Sequence, residues 1–229
     1  MKYCVGTPKR GLLLKPKARW DGNPDFEFFI SGRSDSDFAK DPDRRCSVSG
    51  YSTFLSESPV TMNCRMQGCI TLDVTSAELV SGTECVQDML FEMHVLESMK
   101  LKVKKPMILE VDNKGAVAIS HNWSVSGRSR HDSICHSFLR ELNEEGIIEV
   151  FWIPTDDNSL DLFTKNLMGP LFEKHVKVYC GEDEYMKKSS DVSDSQGEGV
   201  GVKKSTINKC DVIPGNVENR AMTPRGHVD

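Results

Sequence analysis

Ser34-Asp35-Ser36-Asp37-Phe38-Ala39-Lys40-Asp41-Pro42-Asp43-Arg44-Arg45 is approached by the apolar run Phe26-Glu27-Phe28-Phe29-Ile30, which holds no turn residue. The run predicts a strand from Phe26 to about Ser36. A strand that ends on Ser34-Asp35-Ser36-Asp37 sets carboxylates at the edge of a sheet. There they are surface decoration or one wall of a metal site. The other elements that reach this edge decide between the two.

Working outward, Ser47 to Leu55 alternates and predicts a second strand. Pro59 to Met66 predicts a third, with Glu57-Ser58-Pro59 as the turn between them. Thr75 is placed to cap a helix that continues to about Met99, because Leu79, Val86, Leu90, Met93 and Leu96 recur at helical spacing. After Pro106, Met107-Ile108-Leu109-Glu110-Val111 suits a central strand. Short helices are expected over 113–120 and 131–145, a fifth strand over 147–153, and a last helix over 157–167. Three hairpin-linked strands followed by a helical crossover give a mixed sheet. The crossover is right-handed and returns the fourth strand parallel to a neighbour, the first strand being the one expected. Asp35 and Asp112 then share one carboxyl-end edge.

The 229 residues allow one domain with a full core plus a tail. Three segments are expected: 1–22 as a connection broken by Pro and Gly, 23–178 as the folded domain, and 179–229 as a disordered tail. From Gly181 the chain turns to Ser, Asp, Gly, Lys and Glu, too polar to offset chain entropy. No apolar run is long enough to span a bilayer, and no secretory signal pattern opens the chain, so no membrane partner is expected. Eight scattered cysteines without a C-x-x-C pair suit a reducing compartment and give no disulfide framework. Cys64, Cys69, His131 and His136 are poorly spaced for zinc. A net charge of −5 excludes whole-surface attraction to nucleic acid, yet residues 1–20 hold six basic residues and no acid before the acidic average sets in.

Two further acids belong to the carboxylate edge. Glu78, in Thr75-Ser76-Ala77-Glu78, also fits a capping box. Asp161, within Leu160-Asp161-Leu162-Phe163-Thr164-Lys165, also fits an exposed helical acid. Alone, each is weak. Four acids on four elements that the predicted topology brings together are a candidate metal site.

Four stretches, in order, resemble the ribonuclease H domain that closes the Pol polyprotein of copia-type retrotransposons. They are Ser34-Asp35-Ser36-Asp37-Phe38-Ala39-Lys40-Asp41 with Arg44-Arg45 and Ser49-Gly50-Tyr51; Ser76-Ala77-Glu78-Leu79; Val111-Asp112-Asn113-Lys114-Gly115-Ala116; and Trp152-Ile153-Pro154-Thr155 with Asp161-Leu162-Phe163-Thr164-Lys165. Arg128-Ser129-Arg130-His131 and Phe138-Leu139-Arg140-Glu141 fit the segment between the last two, and Lys2-Tyr3-Cys4-Val5-Gly6-Thr7 resembles the joint leaving a reverse transcriptase. The resemblance covers roughly residues 1–175.

The resemblance implies an α/β fold of ribonuclease H type, a mixed five-stranded sheet flanked by helices. It implies a metal-dependent endonuclease that cuts the RNA strand of RNA–DNA hybrids within a reverse transcriptase/ribonuclease H polyprotein. Asp35, Glu78, Asp112 and Asp161 match the four catalytic acids, with Asp35 as the bridging ligand. Ser76 and Phe38 depart from the family's usual Glu and Trp at non-ligand positions. An all-oxygen donor set suits two Mg²⁺ or Mn²⁺ ions rather than zinc. Candidate substrate contacts are Asn113, Trp123, Arg128 and Arg130. A neighbouring reverse transcriptase domain and the hybrid are the expected partners. No small-molecule cofactor is expected, and the location is intracellular, in a cytoplasmic virus-like particle or the nucleus. Two alternatives stay open: an inactive module that only binds nucleic acid or supports a polymerase, and an integrase-like transposase, which would need a final Glu where Asp161 stands.

Overall fold

The computed structural model describes residues 11–121 and 133–180, apart from the side chains of Ser133, Ile134 and His136. The elements run β1 (Glu27–Phe28), β2 (Ile30–Asp37), β3 (Val48–Leu55), β4 (Ser58–Met66), α1 (Val74–Ser98), β5 (Lys102–Val103), β6 (Met107–Val111), α2 (Lys114–His121), α3 (Ser133–Glu144) and β7 (Ile148–Trp152). A 3-10 turn (Thr155–Asp157), α4 (Asp161–Thr164) and α5 (Gly169–Cys180) follow.

The main sheet has five strands in the order β4-β3-β2-β6-β7. β2, β3 and β4 form an antiparallel meander, while β6 lies parallel to β2 and β7 parallel to β6. The long crossover through α1 therefore returns beside the first long strand, as expected. Ser34 pairs with Val111 in this register, so Asp35 and Asp112 follow at the same level. β1 and β5 form a separate two-residue parallel pair.

α1 settles on β2 because the strand offers it bare backbone. A Cβ at Gly32 would lie 2.5 Å from Cys85 Sγ and 2.6 Å from Met89 Sδ. On this face Leu79, Val86, Met89, Leu109, Leu139, Ile148 and Val150 pack into one core beneath α1, α2 and α3. The opposite face carries α4 and α5. Gly50 of β3 admits α4, since a Cβ there would lie 2.6 Å from Thr164 Cγ2. Tyr179 of α5 meets Phe54 and Phe163 at ring-centroid distances of 6.1 and 5.3 Å.

Several expectations shift. The first strand is interrupted at Phe29, whose carbonyl accepts from Ser56 N–H at 2.7 Å. The β3–β4 turn falls on Ser56 and Glu57, one residue earlier than expected. Both have positive φ, 49° and 66°, the backbone of a type I′ turn whose twist matches the flanking strands. Asp73, not Thr75, caps α1, its carboxylate accepting from Ser76 N–H at 2.8 Å. The helix expected over 157–167 is a 3-10 turn and the four-residue α4. α5 was not foreseen, and it extends to Cys180, two residues past the boundary drawn at 178.

Within the segment expected as a connection, residues 11–20 lie on the body. Leu13 N–H donates to Tyr179 O at 2.8 Å, Lys17 N–H donates to Ser56 O at 2.9 Å, and the Trp20 ring meets Phe28 at 6.0 Å. Residues 181–229, expected as the tail, lie outside the described residues. Among the described residues no helix is long and apolar enough to cross a membrane.

Candidate active site

Each acid reaches the β2/β6 edge for a local reason. Asp35 and Asp112 sit at the level where two parallel strands end. Glu78 comes from the first turns of α1 and leans back over β2. There its Oε1 accepts from Ser36 N–H at 3.1 Å and Ser36 Oγ–H at 2.9 Å. It therefore plays no part in capping; Asp73 does that work. One oxygen each from Asp35, Glu78 and Asp112 fall within 4.8 Å of one another, a group able to hold one divalent ion.

Asp161, at the start of α4, stands beside this trio. It is linked to it through Lys165, whose Nζ lies 2.6 Å from Asp161 Oδ1 and 3.1 Å from Asp35 Oδ1. Asp35 is fully buried, and its other oxygen accepts from Thr164 Oγ–H. The structure thus gathers three of the four expected acids into one cluster and holds the fourth one ammonium group away.

Electrostatics follow from crowding. Burial, then the charges of Asp35 and Asp112, push Glu78 well above the usual carboxylate range. Burial, then Asp35, raise Asp112, against the pull of Lys165 and a hydrogen bond from Thr155. Burial raises Asp161 as well, against its bond to Lys165. For Lys165 burial acts downward, but the neighbouring Asp35 and Asp161 outweigh it and hold the ammonium form.

Of the expected substrate contacts, Asn113 is half-buried, and its Oδ1 caps α2 by accepting from Ala116 N–H at 3.0 Å. Trp123, Arg128 and Arg130 lie outside the described residues. Of the poorly spaced zinc set, Cys64 and Cys69 are exposed, and His131 and the His136 side chain are outside the described residues. Sequence reasoning missed Lys165, Thr164 and Ser36 as parts of the site. For Lys165 the signal was present, since it stands four residues after Asp161, one helical turn on.

No protein-family model matches the chain. It is 27% identical over 173 residues to the retrovirus-related Pol polyprotein from transposon RE1 of Arabidopsis thaliana, covering 76% of this chain and 11% of that one. It is 28% identical over 144 residues to the Pol polyprotein from transposon TNT 1-94 of Nicotiana tabacum, covering 63% of this chain and 11% of that one. The chain is a retrotransposon Pol-like domain with a ribonuclease H fold. This Pol-like domain spans about a tenth of the length of the polyproteins it matches. Among solved structures it overlaps a ribonuclease H1 isolated from compost, with TM-score 0.44 and 11% identity over 71% of this chain and 98% of that one. It overlaps the N-terminal ribonuclease H domain of a Mycobacterium tuberculosis protein at TM-score 0.40, with 14% identity over 66% of this chain and 96% of that one. The fold of the Pol-like domain is read from its own strand order and directions.

Proposed function

We propose that the Pol-like domain is a metal-dependent endonuclease hydrolysing the RNA strand of RNA–DNA hybrids, within a reverse transcriptase/ribonuclease H polyprotein. The observation that carries this is the carboxylate trio together with Glu78 Oε2, a buried oxygen with no hydrogen-bond partner among the described residues. A buried carboxylate oxygen left without a donor is costly. Beside two further carboxylates, the group that satisfies it is a hard cation, and an all-oxygen set fits Mg²⁺ or Mn²⁺.

In this reading Asp35, Glu78 and Asp112 would hold one ion, and Asp35 with Asp161 would hold a second. The chemistry such ions would supply is activation of water and relief of charge on the phosphodiester and its leaving oxygen. The chain's own residues do the positioning. Ser36 fixes one oxygen of Glu78 and leaves the other for the ion. Thr164 orients Asp35. Lys165 keeps Asp35 and Asp161 together. Asn113, with Trp123, Arg128 and Arg130, is assigned to the hybrid, where 2′-hydroxyls and phosphates identify the strands.

One observation favours the inactive-module reading. Lys165 already supplies a cation to Asp35 and Asp161, so those two carboxylates have a partner of their own. Cleavage of a labelled hybrid in Mg²⁺, in Mn²⁺ and in EDTA separates the readings, with the all-DNA duplex as control. The nuclease cuts only the RNA strand, only with metal, and Asp112→Asn lowers the rate by orders of magnitude with little change in hybrid affinity in Ca²⁺. A parent protein that binds the hybrid but cuts it with neither metal is the inactive module.

A further inference from the structure

Trp152 stands on the core-facing side of β7 yet lies outside the core. Strand alternation puts it on the same face as Ile148 and Val150, which are 1% and 3% exposed beneath the helices, whereas Trp152 is 43% exposed. Its register partner on β6, Val111, is 2% exposed, so the cover is lost only on the β7 side of this level. What remains over the ring is Lys114, the first residue of α2, with Nζ 4.4 Å from the ring centroid. The indole is locked in place, its Nε1–H donating to the Asp112 carbonyl at 3.0 Å. Lys114 is exposed, and no carboxylate lies within ion-pair distance of its Nζ among the described residues.

We infer that Trp152 and Lys114 form a nucleic-acid shelf at the lip of the carboxylate cluster. A flat aromatic face held rigid next to Asp112 suits stacking against a base or sugar. The ammonium group that lies over the ring, 4.4 Å from its centroid, suits the adjoining phosphate. The pairing is complementary to a polyanion carrying planar groups and to little else. A buried apolar partner would strand the lysine, and a simple anion would leave the ring unused. The lock to Asp112 ties the position of the bound strand to that of a carboxylate of the cluster. The inference rests on the nuclease reading only for its substrate; the shelf itself is a binding surface.

The test measures affinity for a labelled RNA–DNA hybrid in Ca²⁺ across a salt series, alongside Mn²⁺ affinity without nucleic acid. Trp152→Ala is expected to weaken hybrid binding about tenfold or more. Lys114→Met, a surface change that leaves the fold intact, is expected to weaken it several-fold and to lower the salt slope by about one. Trp152→Phe keeps the ring and loses the N–H, so its hybrid affinity should stay near the parent's. Lys114→Met binding like the parent with an unchanged slope overturns the shelf. So does Trp152→Phe losing hybrid and Mn²⁺ affinity as fully as Trp152→Ala, which would make the indole only a prop for Asp112. A parent that binds the hybrid and does not cleave it removes the nuclease reading and leaves the shelf. A parent that cleaves, with Lys114→Met and Trp152→Ala both binding as the parent does, removes the shelf and leaves the nuclease.

Discussion

Glu78 is 3% exposed, and its two oxygens have opposite fates: one is held by Ser36 and the other has no donor. Its folded-state pKa is raised, so the folded protein binds the proton more tightly than the unfolded chain. That contribution is complete below the unfolded value near 4.5 and is lost as pH rises through the raised folded value. Metal-free protein should therefore lose thermal stability as pH rises above about 4.5. Glu78→Gln should flatten the trend without abolishing it, because Asp112 and Asp161 are shifted in the same direction. His175 acts oppositely, its burial holding it below the usual histidine value, but it contributes equally to parent and variant. The difference between the two melting curves is the measurement, and parallel curves would refute the assignment. The identities of the four acids were legible in the sequence because each sits in an ordered motif. The partners of those acids were not. Ser36 and Thr164 are unremarkable in composition, and only the fold brings them to Glu78 and Asp35. The capping box at Thr75 was a false lead, since the helix already begins at Val74 and Asp73 caps it by accepting from Ser76 N–H and Ser76 Oγ–H.

At the scale of elements, Gly50 decides how α4 approaches the sheet. Its missing side chain admits the methyl of Thr164, whose hydroxyl reaches Asp35. Gly50→Ala should push α4 outward, cost about 1–3 kcal/mol by overpacking, and disturb the support of Asp35. Chemical denaturation reads the first effect and hybrid cleavage the second; a variant as stable as the parent would show that Thr164 rotates away freely. The β-meander, α1 and β6 were legible because their periodicity agrees with their burial, and β6 matched over all five residues. The last part of the core was not. α4 has only four residues, and the turn at Thr155–Asp157 carries two acids and no apolar repeat, so no period identifies either. α5 was hidden because its buried residues are His175, Val176 and Tyr179, a histidine and a tyrosine among them, which polar-residue reasoning discards.

For the whole molecule, α5 sets the size of the cooperative unit. Truncation after Cys180 should leave the melting temperature nearly unchanged, as the composition of 181–229 predicts. Truncation after Met168 removes Val176, His175 and Tyr179 and uncovers Phe54 and Phe163, which Tyr179 meets. It should lower stability by several kcal/mol, a fall in melting temperature on the order of 10 °C. Calorimetry of the two truncated forms decides it; equal melting temperatures would place α5 outside the cooperative core. The hydrogen bond between Leu13 and Tyr179 has a consequence of another kind. Residues 11–13 and the end of the last helix meet at one corner, so the described body is a cassette whose two leads, at Leu13 and Tyr179, lie side by side. Such a cassette slots into a longer polypeptide without prising its neighbours apart. It also tolerates being rewired: a short Gly/Ser bridge between those leads, with a new break at the Gly146 turn, would keep every neighbour in the β4-β3-β2-β6-β7 order.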